Sequence, residues 1–297
     1  MNKKINPHVL GALLIITDSF FFSLMTLFVR LSGDLPTVEK AFFRNAFAAV
    51  IAVIALMRSE EKFRIKKGSL PGLLMRAIFG GAGIITNFWA IDHLRIADAN
   101  ILNKMSPFFA IIMSVFILSE IPDKMEWLAV LIAFIGAAFV VKPTEGLSSF
   151  PALIGLLGGF CAGTAYTFVR KLGKQGERSG VIVCFFSVFM TVALIPPMIK
   201  SFVPMTPTQL ACLVGAGLAA AGGQFTVTKA YQVAPAREIS VFDYSQVLFA
   251  SLWGMLLFAE LPDLWSLLGY VIIIGTAVFK WRYTMKKARE EESIEQN

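Results

Sequence analysis

Charged side chains lie inside several long apolar stretches of this sequence. They are Asp18, Arg44, Lys104, Lys229 and Asp243. Because a charge facing hydrocarbon costs several kcal/mol, residues of this kind face a polar interior, where they bind ions, protons or charged ligands. We therefore expect Arg44 and Lys104 to attract an anionic group such as a carboxylate, and Asp18 and Asp243 to bind a coupling proton or form ion pairs.

Counting along uninterrupted helices places Arg44 and Lys104 at one depth, about 9–11 Å from one membrane face, with no acid beside them. Neighbouring residues complete the predicted substrate site. Three amides would orient the ligand by hydrogen bonds, and three aromatic residues would form its walls or lie opposite Lys104. These residues are Asn87, Asn100, Asn103, Trp89, Tyr166 and Tyr244.

Each of the charges also has a structural interpretation. Arg44 could hold backbone carbonyls or pair with Asp18. Lys104 and Lys229 could extend towards the membrane surface, which is the favoured interpretation for Lys229 near a span end. Asp243 could form a fixed ion pair with Lys229 or another cation. The sequence alone leaves these alternatives open.

The polar stretch around Lys104 occurs twice. Residues 97–123 read ADANILNKMSPFFAIIMSVFILSEIPD, and residues 237–263 read REISVFDYSQVLFASLWGMLLFAELPD. Asn103 and Lys104 align with Asp243 and Tyr244 at an offset of 140 residues (243 − 103 = 140), and the Glu-x-Pro-Asp ends keep the same offset. We expect the two faces to lie opposite each other, with a bend at Pro107 that Val247 does not reproduce in the second copy.

The amino-acid composition indicates that the chain lies in a membrane. Of the 297 residues, 56% are hydrophobic and 16% are charged, whereas soluble domains carry about a quarter charged residues. The sequence predicts an all-α membrane protein with ten transmembrane helices in two five-helix repeats. The predicted spans are 9–31, 38–57, 70–91, 97–119, 126–142, 150–171, 180–200, 208–232, 238–259 and 265–282.

The placement of lysine and arginine predicts the orientation. With the N-terminus inside, about eighteen of them fall on the cytoplasmic side and about five outside. We expect a multi-pass protein of the plasma or inner membrane with both termini in the cytoplasm. The net charge of +7 is then a topology signal and does not indicate nucleic-acid binding.

The repeat predicts three segments: 1–143, 144–284, and a charged, partly disordered cytoplasmic tail at 285–297. Phe28, Val29 and Arg30 recur as Phe168, Val169 and Arg170, again 140 residues later. Because five spans are an odd number, the second copy enters the membrane from the opposite side. Such inverted repeats are typical of secondary transporters, which bind substrate near mid-membrane.

These blocks resemble the drug/metabolite transporter superfamily, in the EamA group of ten-helix carriers. The resemblance covers about residues 11–281 and rests on the five-plus-five repeat, the paired blocks quoted above, and FFRNAFAAV around Arg44. It implies a central cavity enclosed by helices one to four and six to nine, with five and ten peripheral. The expected cargo is a small polar or amphipathic metabolite, with an amino acid or organic anion favoured, moved across the plasma membrane by alternating access with proton coupling or exchange. A lipid or lipid-precursor flippase is the alternative.

Other functional classes are not indicated. His8 and His93 lie near span ends, so no metal or acid–base site is expected inside the membrane, and no G-x-x-x-x-G-K-[ST] phosphate loop occurs. We expect neither enzymatic activity nor a cofactor. The partners expected are the metabolite and the lipid bilayer.

Small residues predict close helix contacts. Gly155, Gly159 and Gly163 follow a small-x-x-x-small pattern that favours packing inside the bundle over a dimer interface, and both monomer and homodimer stay open. The three cysteines all lie in apolar spans and are expected to be buried free thiols: Cys161, Cys184 and Cys212.

Overall fold

The computed structural model describes residues 6–93, 102–141, 150–259 and 261–295, and within them every regular element is helical. We number the helices in chain order. They are α1 (Pro7–Leu31), α2 (Thr37–Met57), α3 (Leu70–His93), α4 (Ser106–Leu118), α5 (Lys124–Val141), α6 (Phe150–Lys174), α7 (Ser179–Ser201), α8 (Pro207–Val233), α9 (Ala236–Phe258) and α10 (Leu264–Glu295).

The length and apolar composition of the helices identify a multi-pass membrane protein. Among the described residues, seven helices are long and apolar enough to cross a membrane: α1, α2, α6, α7, α8, α9 and α10. The apolar helix α4 has only 13 residues and extends about 20 Å, which is shorter than the ~30 Å hydrocarbon core. Many large apolar side chains on the helices remain exposed, as expected for surfaces that lipid covers.

The helix ends follow local sequence signals. Asn6 caps α1 by accepting the His8 N–H at 2.9 Å, with Pro7 at the first helical position. At the start of α8, Thr206 and Gln209 form a reciprocal capping box ahead of the helix. These signals fix where the helices begin, independently of what they pack against.

The Glu-x-Pro-Asp sequence marks another helix start. Asp123 accepts the Glu126 N–H at 2.8 Å, and Glu126 accepts the Asp123 N–H at 2.9 Å. Partial burial opposes ionisation of Asp123, but hydrogen bonds from Glu126 N–H, Tyr283 and Lys287 outweigh it and lower the pKa of this carboxyl. The counterpart Asp263 caps α10 in the same way, accepting the Ser266 N–H at 2.9 Å.

The packing repeats with the sequence. Helix α1 packs on α8 as α6 packs on α3, and α9 packs on α1 as α4 packs on α6. Counterpart helices also pack on each other, α2 on α7 and α5 on α10. Even the helix ends correspond, because α4 and α9 both end in left-handed residues 140 positions apart, Ser119 and Ala259.

The repeated polar residues lie at two helix interruptions: the turn directly before α4, which we call the break in α4, and a 3-10 turn within α9. Leu102 and Asn103 are helical, Lys104 and Met105 form a turn, and α4 then begins at Ser106 with Pro107 in its first turn. In α9 a 3-10 turn spans Ser240–Tyr244 before the α-helix resumes. The prediction that only the first copy bends is therefore wrong, since the second copy breaks its helix without a proline.

Glycine allows α6 to lie against the break in α4. A Cβ on Gly163 would lie 2.6 Å from both the Ser106 carbonyl and the Ala110 N–H, and one on Gly159 would lie 2.7 Å from the Leu102 carbonyl. The glycine stripe thus packs inside the bundle, as the sequence favoured. The close backbone approach is available only to residues without a side chain.

Other sequence predictions have mixed outcomes. Cys161 and Cys184 are buried free thiols, and Cys212 is a free thiol of intermediate exposure. The tail from 285 onward was expected to be partly disordered, but α10 continues as a helix to Glu295. The reason is composition: Lys, Arg and Glu are good helix formers, and opposite charges one turn apart support one another.

Replacing Gly163 with alanine will destabilise the bundle. The added Cβ meets backbone atoms of α4 at 2.6 Å, so whole helices must move, at a cost of about 1–3 kcal/mol. The thermal unfolding temperature of the purified protein in detergent measures this. Gly275→Ala is the matched control, because a Cβ there meets nothing within 4 Å. Equal unfolding temperatures for the two variants would contradict the packing.

Candidate functional site

An ion pair joins the two interrupted helices. The Lys104 ammonium donates to Asp243 Oδ2 at 2.9 Å and to Gln246 Oε1 at 2.6 Å. The two charged side chains are only 14% and 19% exposed. The two repeated polar faces therefore lie opposite each other, as their alignment predicts.

Backbone carbonyls at the two breaks accept hydrogen bonds from the opposite repeat. The Tyr244 hydroxyl, fully buried, donates to the Lys104 carbonyl at 3.1 Å. The Asp243 carbonyl accepts from Lys104 Nζ and from Ser19 Oγ, each at 3.4 Å. Non-helical backbone is tolerated inside a membrane protein only where such partners exist.

A second carboxylate lies close to this pair. Asp18 of α1 is 1% exposed, and its Oδ1 atom has no hydrogen-bond partner among the described residues. Asp243 and Lys104 are the charges that act on it. Two carboxylates thus lie near one ammonium group, and only Asp243 bonds to it in this conformation.

Two buried arginines lie on the neighbouring helices. Arg44 of α2 is 8% exposed and Arg76 of α3 is 3% exposed. The Nε atom of each is buried without a hydrogen-bond partner, and no carboxylate in the described part of the chain forms an ion pair with either. A buried cation without a counter-ion is costly, which distinguishes these two arginines from the paired charges of the chain.

Contacts fix the orientation of Arg76. Its Nη2 atom donates to Gln224 Oε1 at 3.1 Å, and its guanidinium lies 3.9 Å from the centre of the Phe186 ring. A Cβ on Gly80 would lie only 2.0 Å from Nη1, so the missing side chain of Gly80 provides the room that the guanidinium occupies. Gln224, Phe186 and Gly80 therefore hold the charge in place without neutralising it.

Tyrosines connect these charges. Tyr166 stacks on the buried Tyr231 with ring centres 4.8 Å apart and planes 5° apart. The Tyr166 hydroxyl interacts electrostatically with both arginines and with both carboxylates, Asp18 and Asp243. Tyr166 therefore lies amid the whole cluster, which we call the polar cluster: Asp18, Arg44, Arg76, Lys104, Tyr166, Gln224, Tyr231, Asp243 and Gln246.

Other predicted site residues lie at or beyond the margin of this cluster. Asn87 is partly buried, with an unpartnered Oδ1 atom, and Asn103 is partly exposed beside Lys104. Trp89 stacks on His93 with ring centres 3.9 Å apart and meets Phe150 edge-on, so it lies near the ends of α3 and α6. Lys229 is exposed on α8. Asn100 lies outside the described residues.

Two features of the predicted site are corrected. Lys104 was predicted to have no acid beside it, yet it pairs with Asp243, which the opposite repeat supplies. Arg44 and Asp18 do not form the pair considered as an alternative; the charges acting on Asp18 are those of Asp243 and Lys104.

Sequence reasoning missed Arg76, Gln224, Tyr231 and Gln246. Arg76 meets the criterion that identified Arg44, since it is a cation within a predicted span, 70–91. Gln246 follows Asp243 by three residues and so shares its helical face. Gln224 and Tyr231 had no distinguishing pattern, because uncharged polar residues are common in such helices.

The charges of the cluster favour an anion. Three cations, Arg44, Arg76 and Lys104, face two carboxylates, Asp18 and Asp243, which leaves an excess of one positive charge when all five are ionised. Guanidinium groups present several donors in one plane and bind carboxylates or phosphates with two parallel bonds. The cluster therefore has the charge and the donors that an anionic ligand would need.

A family model matches the chain twice. The model of the EamA-like transporter family aligns with residues 9–142 and again with residues 149–280. The boundary between the two matches falls between α5 and α6, where the packing pattern also begins its second copy.

Curated relatives are named as transporters. The pseudopaline exporter CntI of Pseudomonas aeruginosa is 34% identical over 90% of this chain and 94% of its own length. The riboflavin transporter of Vibrio cholerae is 27% identical over 98% and 99%, and human solute carrier family 35 member G1 is 24% identical over 96% and 83%. A solved crystal structure shares the fold, with a TM-score of 0.78 and 15% identity over 90% of this chain and 94% of that one.

Removing one partner of the Lys104–Asp243 pair will destabilise the protein more than removing both. Lys104→Met leaves a buried carboxylate uncompensated, at an expected cost of about 3–5 kcal/mol, whereas Lys104→Met with Asp243→Asn restores neutrality. Thermal unfolding of the single and double variants in detergent measures the coupling. Lys229→Met, on the exposed side of α8, is the control. Additive losses in the double variant would show that the two residues do not depend on each other.

Proposed function

The chain belongs to the EamA-like transporter family, and we propose that it is a secondary active transporter that moves a small anionic metabolite across the plasma membrane by alternating access. It is a membrane transporter and not an enzyme. We further propose the class of substrate, the residues that bind it and the coupling of transport to protons.

The observation that carries the substrate class is the pair of buried arginines without counter-ions. Arg44 lies on α2 and Arg76 on α3. Both interact electrostatically with the Tyr166 hydroxyl, and each has a buried Nε atom without a hydrogen-bond partner. A carboxylate or other anion bound between them would supply the missing charge and accept the free donors. The stacked Tyr166 and Tyr231 rings offer an apolar wall for the rest of the molecule.

Lys104 has a different proposed role from the one its position in the sequence indicated. Its ammonium already bonds to Asp243 and Gln246, so it is not free to bind substrate in this conformation. We assign it to coupling: the ammonium moves between Asp243 and Asp18, and the carboxylate left without it takes up a proton, since a bare buried carboxylate is costly.

The proposed topology has ten membrane crossings in two inverted repeats, with both termini in the cytoplasm. In this topology every second loop lies on the same side of the membrane, and contacts between such loops support it. At one end of the bundle His8 pairs with Glu238, and Arg178 donates to the Lys62 carbonyl at 2.7 Å. The loops at this end carry most of the lysines and arginines, which favours the cytoplasmic side.

The named relatives support an organic metabolite as cargo. The pseudopaline exporter, 34% identical, makes export the direction to test first, and the riboflavin transporter is named for a different cargo. Which anion this chain carries is answered by binding: a ligand that binds only the folded protein raises its unfolding temperature.

Arg44→Gln and Arg76→Gln will each weaken anion transport. Each removes a fixed guanidinium, and we expect uptake of anionic metabolites by proteoliposomes to fall about tenfold or more, because a charge-assisted hydrogen bond contributes about 1.5–3 kcal/mol. Gly80→Ala will reduce transport while keeping the arginine, because its Cβ displaces Nη1.

Lys229→Gln, which removes an exposed cation from α8, is the matched control for the arginine variants. Unchanged uptake of every anionic metabolite in both variants would refute the anion site. Counterflow of water-soluble metabolites separates a solute carrier from a lipid flippase, since a flippase acts on molecules held in the bilayer and shows none.

Asp243→Asn and Asp18→Asn will uncouple transport from protons. In proteoliposomes with an imposed pH gradient, the wild type should accumulate substrate, whereas each variant should equilibrate it without accumulation. Exchange of labelled for unlabelled substrate without a gradient should persist, which distinguishes uncoupling from misfolding. Proton coupling at these residues is refuted if accumulation ignores the gradient in the wild type, or if both variants accumulate as the wild type does.

A further inference from the structure

A large apolar groove lies away from the polar cluster, between α2 and α7. Its volume is about 620 Å³, within the range of sites that hold one small molecule. Val53 and Leu56 of α2 form one wall, and side chains of α7 from Val181 to Ala193 form the other. Every lining residue is apolar, so the groove does not share the chemistry proposed for transport.

The groove has the length of one membrane leaflet. From Val181 to Ala193 it follows α7 for twelve residue steps, which is about 18 Å at 1.5 Å per step. Half of the hydrocarbon core is about 15 Å. The groove therefore extends from the loop end of the bundle to about mid-membrane, the depth that an acyl chain of one leaflet occupies.

The loop between α2 and α3, in which basic and apolar residues alternate, closes the end of the groove next to the start of α7. Residues 62–66 read KFRIK: Phe63 and Ile65 line the groove, while the intervening Lys62, Arg64 and Lys66 are exposed. Phe63 and Ile65 are themselves 52% and 39% exposed. In an aqueous loop these two apolar side chains would be unfavourable, so a lipid environment accounts for them better.

Arg178 holds this loop in position. Its guanidinium donates to the carbonyls of Lys62 at 2.7 Å and Arg64 at 2.9 Å, and it pairs with Glu61 at 3.3 Å. The loop is thereby fixed at the start of α7. The alternating basic and apolar side chains of the loop are therefore held beside the groove.

We propose that the groove binds one anionic phospholipid, with an acyl chain between α2 and α7 and its headgroup among the basic residues of the loop. Five basic residues lie within residues 58–67 against two acids, Glu60 and Glu61, of which Glu61 pairs with Arg178. They are Arg58, Lys62, Arg64, Lys66 and Lys67. Basic clusters beside a membrane helix attract anionic lipid at about 1 kcal/mol per charge, so charge complementarity selects the lipid.

Native mass spectrometry of the full-length protein with added phosphatidylglycerol or phosphatidylcholine tests the proposal. We expect one phosphatidylglycerol to remain bound under conditions that remove phosphatidylcholine. Val188→Trp fills the groove and should abolish the adduct, whereas Val271→Trp, at another exposed valine, on α10, should retain it. Lys62→Glu with Arg64→Glu should weaken binding roughly tenfold or more, unlike the double control Lys200→Glu with Lys229→Glu.

The outcomes separate the alternatives. Equal retention of the two lipids, or a phosphatidylglycerol adduct that survives in Val188→Trp, refutes the site and leaves only a general lipid annulus. Loss of the adduct in both tryptophan variants also refutes it. Unfolding temperatures of all variants, measured alongside, identify any variant that has not folded, and for such a variant Val188→Phe takes its place as the milder filling change.

Discussion

The Lys104–Asp243 ion pair lies where two interrupted helices meet, and each interruption leaves backbone groups that lipid cannot satisfy. The two repeats solve this reciprocally: Tyr244 bonds to the Lys104 carbonyl, and Lys104 bonds to the Asp243 carbonyl. Neither break would be stable without the other half of the chain. The two copies are therefore interdependent at the same place where the chain also concentrates its charge.

Small residues let neighbouring helices reach these breaks. Gly159 and Gly163 of α6 lie against the break in α4, and the residues 140 positions earlier are Ser19 and Ser23 of α1. Ser19 bonds to the Asp243 carbonyl, and Ser23 accepts the indole N–H of Trp253 at 3.0 Å. One copy uses close backbone contact and the other uses hydroxyl groups, so the same architecture is built with different chemistry.

The internal repeat predicts which polar residues face each other. Features that depend on contacts between helices could not be predicted from the sequence. The offset of 140 residues correctly set Asn103 and Lys104 opposite Asp243 and Tyr244. It could not reveal that α9 breaks without a proline, because side-chain bonds from the other repeat hold that break. Arg76 was detectable from its position within an apolar span, whereas its stacking on Phe186 required knowledge of which helices are neighbours.

The buried charges differ in how completely they are matched, and this difference separates scaffold from site. Glu126 and Lys280 are 2% and 1% exposed and bond at 3.2 Å, joining the peripheral helices α5 and α10. Their charges cancel, so the pair needs nothing from outside. Arg44 and Arg76 are buried to a similar extent without a carboxylate partner in the described chain. Because an unmatched buried cation is destabilising, a scaffold would not retain two of them. In the proposed function, an anionic substrate bound between the two arginines would offset this cost.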